Sequence, residues 1–222
     1  MDSVEPTLSS EQATHGDAVR AIVCTGNAHK VEELTDLLST LPCVLSELRL
    51  EALPAGAVLP PEIGETFLDN ARIKAHAGAS MYPGCWVLAD DSGLAVDALD
   101  GAPGVHSARF AGEDADDATN VALLLERLEP IVDAELRSAR FVCVLVAVAP
   151  DGTEYVAHGT VDGRIAHEVA GTHGFGYDPL FVPDGHAATF AELGHDVKST
   201  MSHRARAARE LAAKLPDPTA TA

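Results

Sequence analysis

The chain has 222 residues, of which 46% are hydrophobic and 22% are charged. This length suffices for the core of one globular domain, and the composition excludes collagen-like and wholly disordered proteins. Fifteen lysines and arginines against 34 aspartates and glutamates give a net charge of −19. Nucleic acid polymers and anionic membranes are recognised by basic patches, so neither is a predicted partner of so acidic a chain.

The two ends of the chain and its cysteines predict where the protein works. Residues 1–18 are polar and acidic, unlike a signal peptide, and both they and 216–222 are predicted to be disordered tails around a single domain at 19–215. The sequence has no run of about 18 apolar residues, so no transmembrane helix is predicted. The four cysteines form no CxxC pair. Buried free thiols in a reducing compartment are therefore expected, and the cytoplasm is the expected location.

Strands and helices alternate along the chain. Residues 21–24 form a short apolar strand, and Lys30–Leu41 repeats apolar residues at helical spacing. Thr66–Ala79 is predicted to be a helix, with Thr66 as its N-cap. Further helices are predicted at 114–128 and 202–215, and further strands at 86–89, 141–149 and, as a pair broken at 162–163, at 154–166. With Asp151-Gly152 as a hairpin turn, this order predicts an α/β fold containing at least one antiparallel hairpin.

Residues 25–30, TGNAHK, join the first predicted strand to the first predicted helix. Backbone N–H groups at the start of a helix can bind an anion, and Lys30 would add a positive charge there. The segment lacks the GxxxxGK[ST] pattern of a P-loop. A plain strand-to-helix turn is therefore the alternative interpretation.

Asp90 and Asp91 follow an apolar strand directly. Two adjacent acids in such a place are costly unless they are paired, exposed or bound to a cation. Because successive strand residues point to opposite faces, one acid is expected to reach a cleft and the other to support it. Carboxylate oxygens suit Mg²⁺, which takes one or two of them together with substrate phosphates. An acidic turn without a metal is the alternative.

Three further stretches carry polar or glycine-rich patterns. Asn70 and Lys74 share one face of the second predicted helix and can hold a polar ligand, unless that face is only solvated. Glycines around Phe175 let the backbone approach a flat ligand, although the pattern alone favours a glycine-rich turn with core aromatics. His203 and Arg204 follow the N-cap Ser202, where cations are unfavourable without an anion, so an anion site is predicted there.

Five motifs, taken in order, resemble the inosine triphosphate pyrophosphatase family: TGNAHK, ETFLDNARIKA, LADDSGLAVDALDGAPGVHSARFAG, GFGYDPLF and KSTMSHR. The resemblance extends from about Ala21 to Leu215. It implies an elongated, mixed α/β fold with a curved sheet, two lobes around a central cleft, and a homodimer. It also implies hydrolysis of ITP, dITP and XTP to the monophosphate and pyrophosphate, which removes deaminated purines from the nucleotide pool.

The resemblance also implies roles for individual residues. Glu62 and Asp91 would bind Mg²⁺, with Asp91 also the proton acceptor for the attacking water; Glu65, near Glu62, is the alternative glutamate. Asp90 would support Asp91. The triphosphate would be held by Thr25, Gly26, Asn27, Ala28, His29 and Lys30. The remaining substrate contacts would be Ser92, Phe175, Gly176, Tyr177, Asp178, Lys198, His203 and Arg204, with Phe175 stacking on the base and His203 and Arg204 facing the 6-oxo group.

Charge and alternatives complete the sequence-based prediction. Three of the four lysines, Lys30, Lys74 and Lys198, fall inside these motifs, so the cleft is predicted to gather cations. One rival is a related pyrophosphatase that prefers a modified pyrimidine. Another is a non-catalytic nucleotide-binding protein, whose expected signature, loss of the acids, is not seen because Asp91 and Glu62 are present.

Overall fold

The computed structural model describes residues 20–217, which form one six-stranded mixed sheet with helices against both faces. The strands are β1 (Arg20–Val23), β2 (Arg49–Ala52), β3 (Trp86–Val96), β4 (Ser138–Val148), β5 (Glu154–Ile165) and β6 (Phe181–Pro183). The helices are α1 (Ala28–Ser39), α2 (Phe67–Met81), α3 (Asp117–Leu128), α4 (Phe190–Met201) and α5 (His203–Lys214). Of the tails predicted at 1–18 and 216–222, residues 1–18 and 218–222 lie outside the described residues. Among residues 20–217, no helix is both long enough and apolar enough to cross a membrane.

The sheet has the strand order β2-β1-β3-β4-β5-β6. β1 runs parallel to both of its neighbours, whereas β3, β4, β5 and β6 pair antiparallel. β4 is almost entirely buried, as expected for a central strand that is covered on both faces. The mixed α/β fold and the antiparallel hairpin after β4 are therefore confirmed.

Three apolar clusters hold the helices against the sheet. One face packs α1 and α5 around Leu34, Leu88 and Leu211, and the opposite face packs α2 through Ala71 and Ala75. The third cluster lies around α3, β6 and the start of α4. α2 begins with the predicted cap, because the Thr66 hydroxyl accepts from the backbone of Asp69 while the Asp69 carboxylate accepts from the backbone of Thr66.

Two strand predictions are wrong. β3 does not end before Asp90 but continues to Val96, pairing with β4 throughout. The acids were expected to break the strand, yet their charges are compensated and the ladder continues through them. Residues 154–166 do not form a strand pair broken at Asp162-Gly163, because β5 is a single strand in which Gly163 pairs with Ala139. A Cβ at Gly163 would meet the Val182 carbonyl at 2.3 Å, so this glycine permits close approach of β6.

Candidate functional site

The candidate site lies in a notch beside β3. β1 pairs with β3 only as far as Leu88 and then leads into α1, so in the described chain that side of β3 carries no strand beyond this point. Asp90 and Asp91 come next, and both are buried. Asp90 contacts Arg204 of α5 on one face, and Asp91 contacts Lys74 of α2 on the other. The predicted opposite orientation of the two acids is therefore confirmed.

On the α2 face, two carboxylates converge on one ammonium group. Lys74 Nζ lies 2.6 Å from Glu62 Oε1 and 3.4 Å from Asp91 Oδ1. Burial raises the pKa of Asp91 to about 6, although Lys74 opposes the rise. Burial alone would lower the pKa of Lys74, but Asp90, Asp91 and Glu62 raise it. Lys74 is therefore a fixed cation beside a carboxylate of raised proton affinity.

Hydrogen bonds of Asn70 and Arg109 fix the position of the segment that carries Glu62. Asn70 donates to Asp91 Oδ2 at 3.3 Å and accepts from the Gly64 N–H at 2.8 Å, which ties the Glu62 segment to the acid. Arg109 donates to the Glu62 carbonyl at 3.2 Å. Glu65, by contrast, is exposed. The structure thus brings Glu62, rather than Glu65, together with Asp91.

The donor set on this face fits a hard cation that is shared with a ligand. Glu62 and Asp91 already enclose one positive group, the Lys74 ammonium. Within residues 20–217 there is no cluster of three or more metal-ligating side chains. Two carboxylates are typical of a Mg²⁺ site that is completed by water and substrate phosphates, and not of a protein cage for a resident ion.

On the α5 face, Asp90 is the centre of a buried ionic network. Its carboxylate lies 3.1 Å from Lys30 Nζ and 3.4 Å from an Arg204 nitrogen, and Ser92 Oγ donates to it at 3.1 Å. Burial opposes ionisation, but Lys30 and Arg204 hold the pKa of Asp90 well below its usual range. Asp90 therefore stays charged and supports the cations around it. Arg204 also donates to Ser92 Oγ at 2.9 Å and pairs with Glu33.

Lys198 links the last turn of α4 to the glycine-rich loop. Its ammonium donates to Glu33 Oε1 at 2.6 Å and to Asp178 Oδ2 at 2.7 Å, and it lies 4.5 Å from the centre of the Phe175 ring. Asp178 Oδ2 also accepts from the Phe175 N–H at 2.9 Å. Burial raises the pKa of Asp178. The predicted base-framing residues Phe175 and Asp178 are thus brought together with Lys198.

His203 is buried and neutral. Its ring stacks on Phe141 with centroids 4.7 Å apart, and burial followed by the charge of Arg204 lowers its pKa well below the usual value. The predicted need for an external anion at this helix start is not supported, because Glu33 and Asp90 already compensate Arg204. Among the described residues, three side-chain atoms are buried without hydrogen-bond partners: Asp90 Oδ1, His203 Nδ1 and Arg204 Nε. Such atoms are costly unless a ligand or water satisfies them.

The 25–30 loop is held by its own side chains. Asn27 caps α1 by accepting from the Lys30 N–H at 3.3 Å, and Thr25 Oγ1 accepts from the Asn27 N–H at 3.2 Å. Gly26 and Ala28 are exposed beside the notch. Of the six predicted triphosphate residues, the loop brings the Lys30 side chain onto Asp90.

His29 points elsewhere: its ring stacks on Phe175 with centroids 5.4 Å apart and 16° between the planes.

Tyr177 and Gly176 have structural partners. The Tyr177 hydroxyl donates to the Ser107 carbonyl at 2.9 Å inside the apolar cluster, and burial raises the pKa of this phenol. The Gly176 N–H donates to Asp117 at 2.6 Å. Both residues line the same cavity as Phe175, which places them beside the site as predicted.

Sequence reasoning missed Glu33 and left Asn70 and Lys74 out of the predicted site. Glu33 connects Lys198 to Arg204, and those two cations lower its pKa against the effect of burial. Lys74 and Asn70 had a usable signal, since their shared helix face points to a common target. The sequence signal for Glu33 was weaker: it lies three residues, about one helical turn, after Lys30 on the same helix.

Charge in the notch is nearly balanced. Five carboxylates, those of Glu33, Glu62, Asp90, Asp91 and Asp178, face four cations, those of Lys30, Lys74, Lys198 and Arg204. The cleft does gather three of the four lysines, as predicted, but each of them is already paired with a carboxylate. An anionic ligand would therefore have to compete with acids of the protein itself.

Two cavities adjoin these groups. The one lined by Lys30, Ser92, Phe175, His203 and Arg204 measures about 100 Å³. A larger cavity of about 350 Å³ lies between α1 and α4, but it shares only Glu33 and Lys198 with the network. The smaller cavity is lined by His203 and Arg204, two of the residues with an unpartnered polar atom, so it is the better candidate for ligand recognition.

Comparison with known proteins identifies the family. The model of the Ham1 family matches residues 21–214, which is nearly the whole described chain. The chain belongs to the Ham1 family. The resemblance inferred from the five motifs covered about the same span. It is confirmed by this match and by the curated names of the relatives described next.

Curated relatives cover most of this Ham1 chain. It is 48% identical over 198 residues to a dITP/XTP pyrophosphatase of Exiguobacterium sibiricum, which spans 89% of the chain and 97% of the relative. It is 44% identical over 199 residues to one of Bdellovibrio bacteriovorus, covering 87% of the chain and 96% of the relative. These alignments cover most of the chain and nearly the whole length of each relative.

Solved Ham1 structures share the fold. A HAM1 protein from Coxiella burnetii superposes with a TM-score of 0.77 at 37% identity, over 88% of this chain and 98% of the other. A nucleoside-triphosphatase/dITP/XTP pyrophosphatase from Mycobacterium abscessus gives a TM-score of 0.69 at 44% identity, over 89% and 100%. The mixed sheet and its flanking helices are therefore the Ham1 fold.

Proposed function

We propose that this Ham1 protein is a Mg²⁺-dependent pyrophosphatase that hydrolyses dITP, XTP and ITP to the nucleoside monophosphate and pyrophosphate. The observation that carries the proposal is the two-sided notch at Asp90-Asp91. Its α2 face presents an acid of raised pKa beside Glu62 and Lys74. Its α5 face presents the unpartnered atoms of His203 and Arg204. One face suits hydrolytic chemistry and the other suits recognition of a base.

Asp91 is the group that would accept a proton from the attacking water. A general base works best when its pKa lies near the working pH, and burial raises the pKa of Asp91 to about 6. Asn70 and Lys74 bind the two oxygens of this carboxylate and so fix its orientation. The Lys74 ammonium is also placed to stabilise negative charge that develops on a nearby phosphate.

Glu62 and Asp91 are the residues that would hold Mg²⁺. When bound, the ion would neutralise phosphate charge and polarise the bond that breaks. The charge balance of the notch supports this requirement, because five carboxylates already face four cations. A triphosphate would add several negative charges to a site that has no surplus of positive ones, so its binding needs additional cations.

The α5 face supports selection of a 6-oxo purine. Arg204 Nε is a buried N–H donor without a partner among the described residues, and neutral His203 has an unpartnered Nδ1. A 6-oxo group can accept from Arg204 Nε, and from His203 Nδ1 in the tautomer that carries its proton there, whereas the 6-amino group of adenine would leave these donors unpaired. A substrate that leaves a buried polar group of the site without a hydrogen-bond partner is strongly disfavoured.

Assembly and location follow the resemblance. We propose a homodimer, to be tested by sedimentation equilibrium, where a concentration-independent mass of one chain would contradict it. We also propose a cytoplasmic location. The structure has Cys24, Cys43, Cys85 and Cys143 as free thiols, which suits a reducing compartment. Fractionation of cells of the source organism would test the location.

The decisive experiment measures pyrophosphate release from a substrate panel, with and without Mg²⁺. We expect rapid release from dITP, ITP and XTP, slow release from dATP and dUTP, and dependence on Mg²⁺. Asp91→Asn keeps the size of the side chain but removes the proton acceptor, so it should abolish turnover while leaving the melting temperature close to that of wild type. Faster hydrolysis of dUTP than of dITP would instead favour the pyrimidine alternative, and full activity of the variant would refute the role of Asp91.

A further inference from the structure

His29 is the one residue of the predicted triphosphate loop whose side chain contacts an aromatic ring of the opposite wall. It is the second residue of α1 and is exposed. Its imidazole stacks on Phe175, which comes from the loop between β5 and β6. The contact therefore spans the notch from the start of α1, which forms one wall, to the loop between β5 and β6, which forms the other.

The stacked pair stands at the edge of the small cavity. Asn27 and Lys30, on either side of His29, line this cavity, and so does Phe175. Its volume of about 100 Å³ is below the roughly 300–1,000 Å³ of typical ligand pockets. A base that enters here must therefore enlarge the space, and the exposed His29 side chain can swing away from Phe175 without disturbing the core.

The chemistry of the two rings points to a flat ligand between them. Aromatic pairs are stable with centroids about 4.5–7 Å apart, and the His29–Phe175 pair at 5.4 Å has near-parallel planes. A purine that enters between the rings would replace one ring contact by two. Lys198 and Arg204 already lie against Phe175, so that wall is held in place by its neighbours.

We propose that His29 is a base-stacking residue, which forms with Phe175 the two walls of a slot for the purine, and that it does not bind the triphosphate. The inference rests on the proposed function, because it assigns the substrate base to this slot. It changes the prediction made from sequence, in which His29 was grouped with the phosphate-binding loop.

Calorimetric titration of the full chain separates the two roles. The probes are inosine 5′-monophosphate, which carries the base, and inorganic tripolyphosphate with Mg²⁺, which does not. The variants are His29→Ala, which removes the ring and its polarity, His29→Phe, which has a ring but no polar group, and His29→Lys, which places an ammonium group there for phosphate. His195→Ala is the matched control, because His195 is an exposed histidine on α4 that lines the other cavity.

Stacking predicts a particular order of affinities. His29→Ala should raise the Kd of inosine monophosphate about tenfold and leave that of tripolyphosphate nearly unchanged. His29→Phe should restore most of the monophosphate affinity, His29→Lys should not, and His195→Ala should match wild type. If His29→Lys restores affinity and His29→Phe does not, or if the tripolyphosphate Kd is the one that rises, the stacking role is overturned. Unchanged monophosphate affinity in His29→Ala overturns it as well.

Turnover of dITP by wild type, measured in parallel, separates this inference from the proposed function. If wild type hydrolyses dITP while all variants bind inosine monophosphate equally well, only the stacking role fails. If wild type hydrolyses none of the deaminated purine triphosphates, the proposed function fails, and the titrations still decide whether His29 stacks on a base. Absence of monophosphate binding to wild type overturns the slot itself.

Discussion

Gly159→Ala tests how tightly α5 must pack for the site to form. Gly159 lies on β5 and pairs with Cys143 of β4, beneath the first turn of α5. A Cβ added there would be 2.0 Å from the His203 carbonyl oxygen and 2.4 Å from the Ala207 backbone nitrogen. Both neighbours are backbone atoms, so neither can rotate out of the way.

The size of the effect follows from these contacts. The helix would have to retreat by about 1 Å to relieve them, and overpacking of this kind costs about 1–3 kcal/mol. In a protein of this size each kcal/mol lowers the melting temperature by about 2–4 °C, so a loss of roughly 2–12 °C is expected. The retreat also moves His203 and Arg204, and a misplacement of about 1 Å can reduce activity by roughly a hundredfold.

Differential scanning calorimetry and dITP kinetics measure the two effects separately. Gly26→Ala is the matched control for stability, because a Cβ at Gly26 meets nothing within 4 Å. We expect Gly159→Ala to lose stability and to raise KM for dITP, since the proposed base-contacting residues, His203 and Arg204, lie on the displaced helix. A melting temperature equal to that of wild type would refute the packing argument. A lower melting temperature with unchanged kinetics would show that the position of α5 does not control recognition.

Two further predictions concern the α2 face of the notch. Glu62→Gln should raise the Mg²⁺ concentration needed for half-maximal activity by at least about tenfold, because a charged ligand is lost. Glu65→Gln is the control and should leave that concentration unchanged. Titration of both variants with Mg²⁺ tests the prediction, and a larger effect of Glu65→Gln would favour Glu65 as the ligand. Lys74→Met should lower kcat about 10²–10³-fold while Kd for inosine monophosphate stays near the wild-type value, because the ammonium is placed beside Asp91 and away from the base. Single-turnover kinetics with that Kd test this prediction, and a loss confined to binding would contradict it.

Much of this fold could be predicted from local pattern. The apolar period of α1, the Thr66–Asp69 cap of α2 and the apolar run of β4 are each set by neighbours in sequence, and all three are confirmed. α4 was not predicted, because Gly194, with φ of 79°, interrupts its helical pattern. β2 and β6 are short, and their pairing partners, β1 and β5, are distant in sequence.

The site shows the same division between local and distant determinants. Strand alternation alone predicted that Asp90 and Asp91 face opposite ways, because that geometry is fixed within two residues. Glu33 could not be distinguished from the neighbouring Glu32, since both are acids on the first helix and only tertiary packing directs one towards Lys198 and Arg204. His29 was assigned to the triphosphate because the family resemblance implies that role for residues 25–30 as a group.

The direction of the His29 ring depends on Phe175, which is distant in sequence and lies in the loop between β5 and β6.

The acidic composition of the chain extends into the notch, where the lysines are already paired with carboxylates. Lys30, Lys74 and Lys198 each contact a carboxylate of the chain, so none of them is held ready for phosphate by an excess of positive charge. A triphosphate can bind only by exchange, in which its oxygens replace Asp or Glu oxygens around these ammonium groups. Each displaced carboxylate would then be left partly buried and unpaired, which is costly.

A divalent cation held by Glu62 and Asp91, as proposed, would offset this cost, because it would supply new pairing for the displaced acids and the phosphates together. We therefore expect a stronger dependence on a divalent cation here than in a site lined mainly by free lysines. It follows that tripolyphosphate should bind far more weakly without Mg²⁺ than with it, whereas inosine monophosphate, which depends more on the base slot, should lose less. The balance of carboxylates and cations in this notch, and not the net charge of the chain, sets how the protein accepts an anionic substrate.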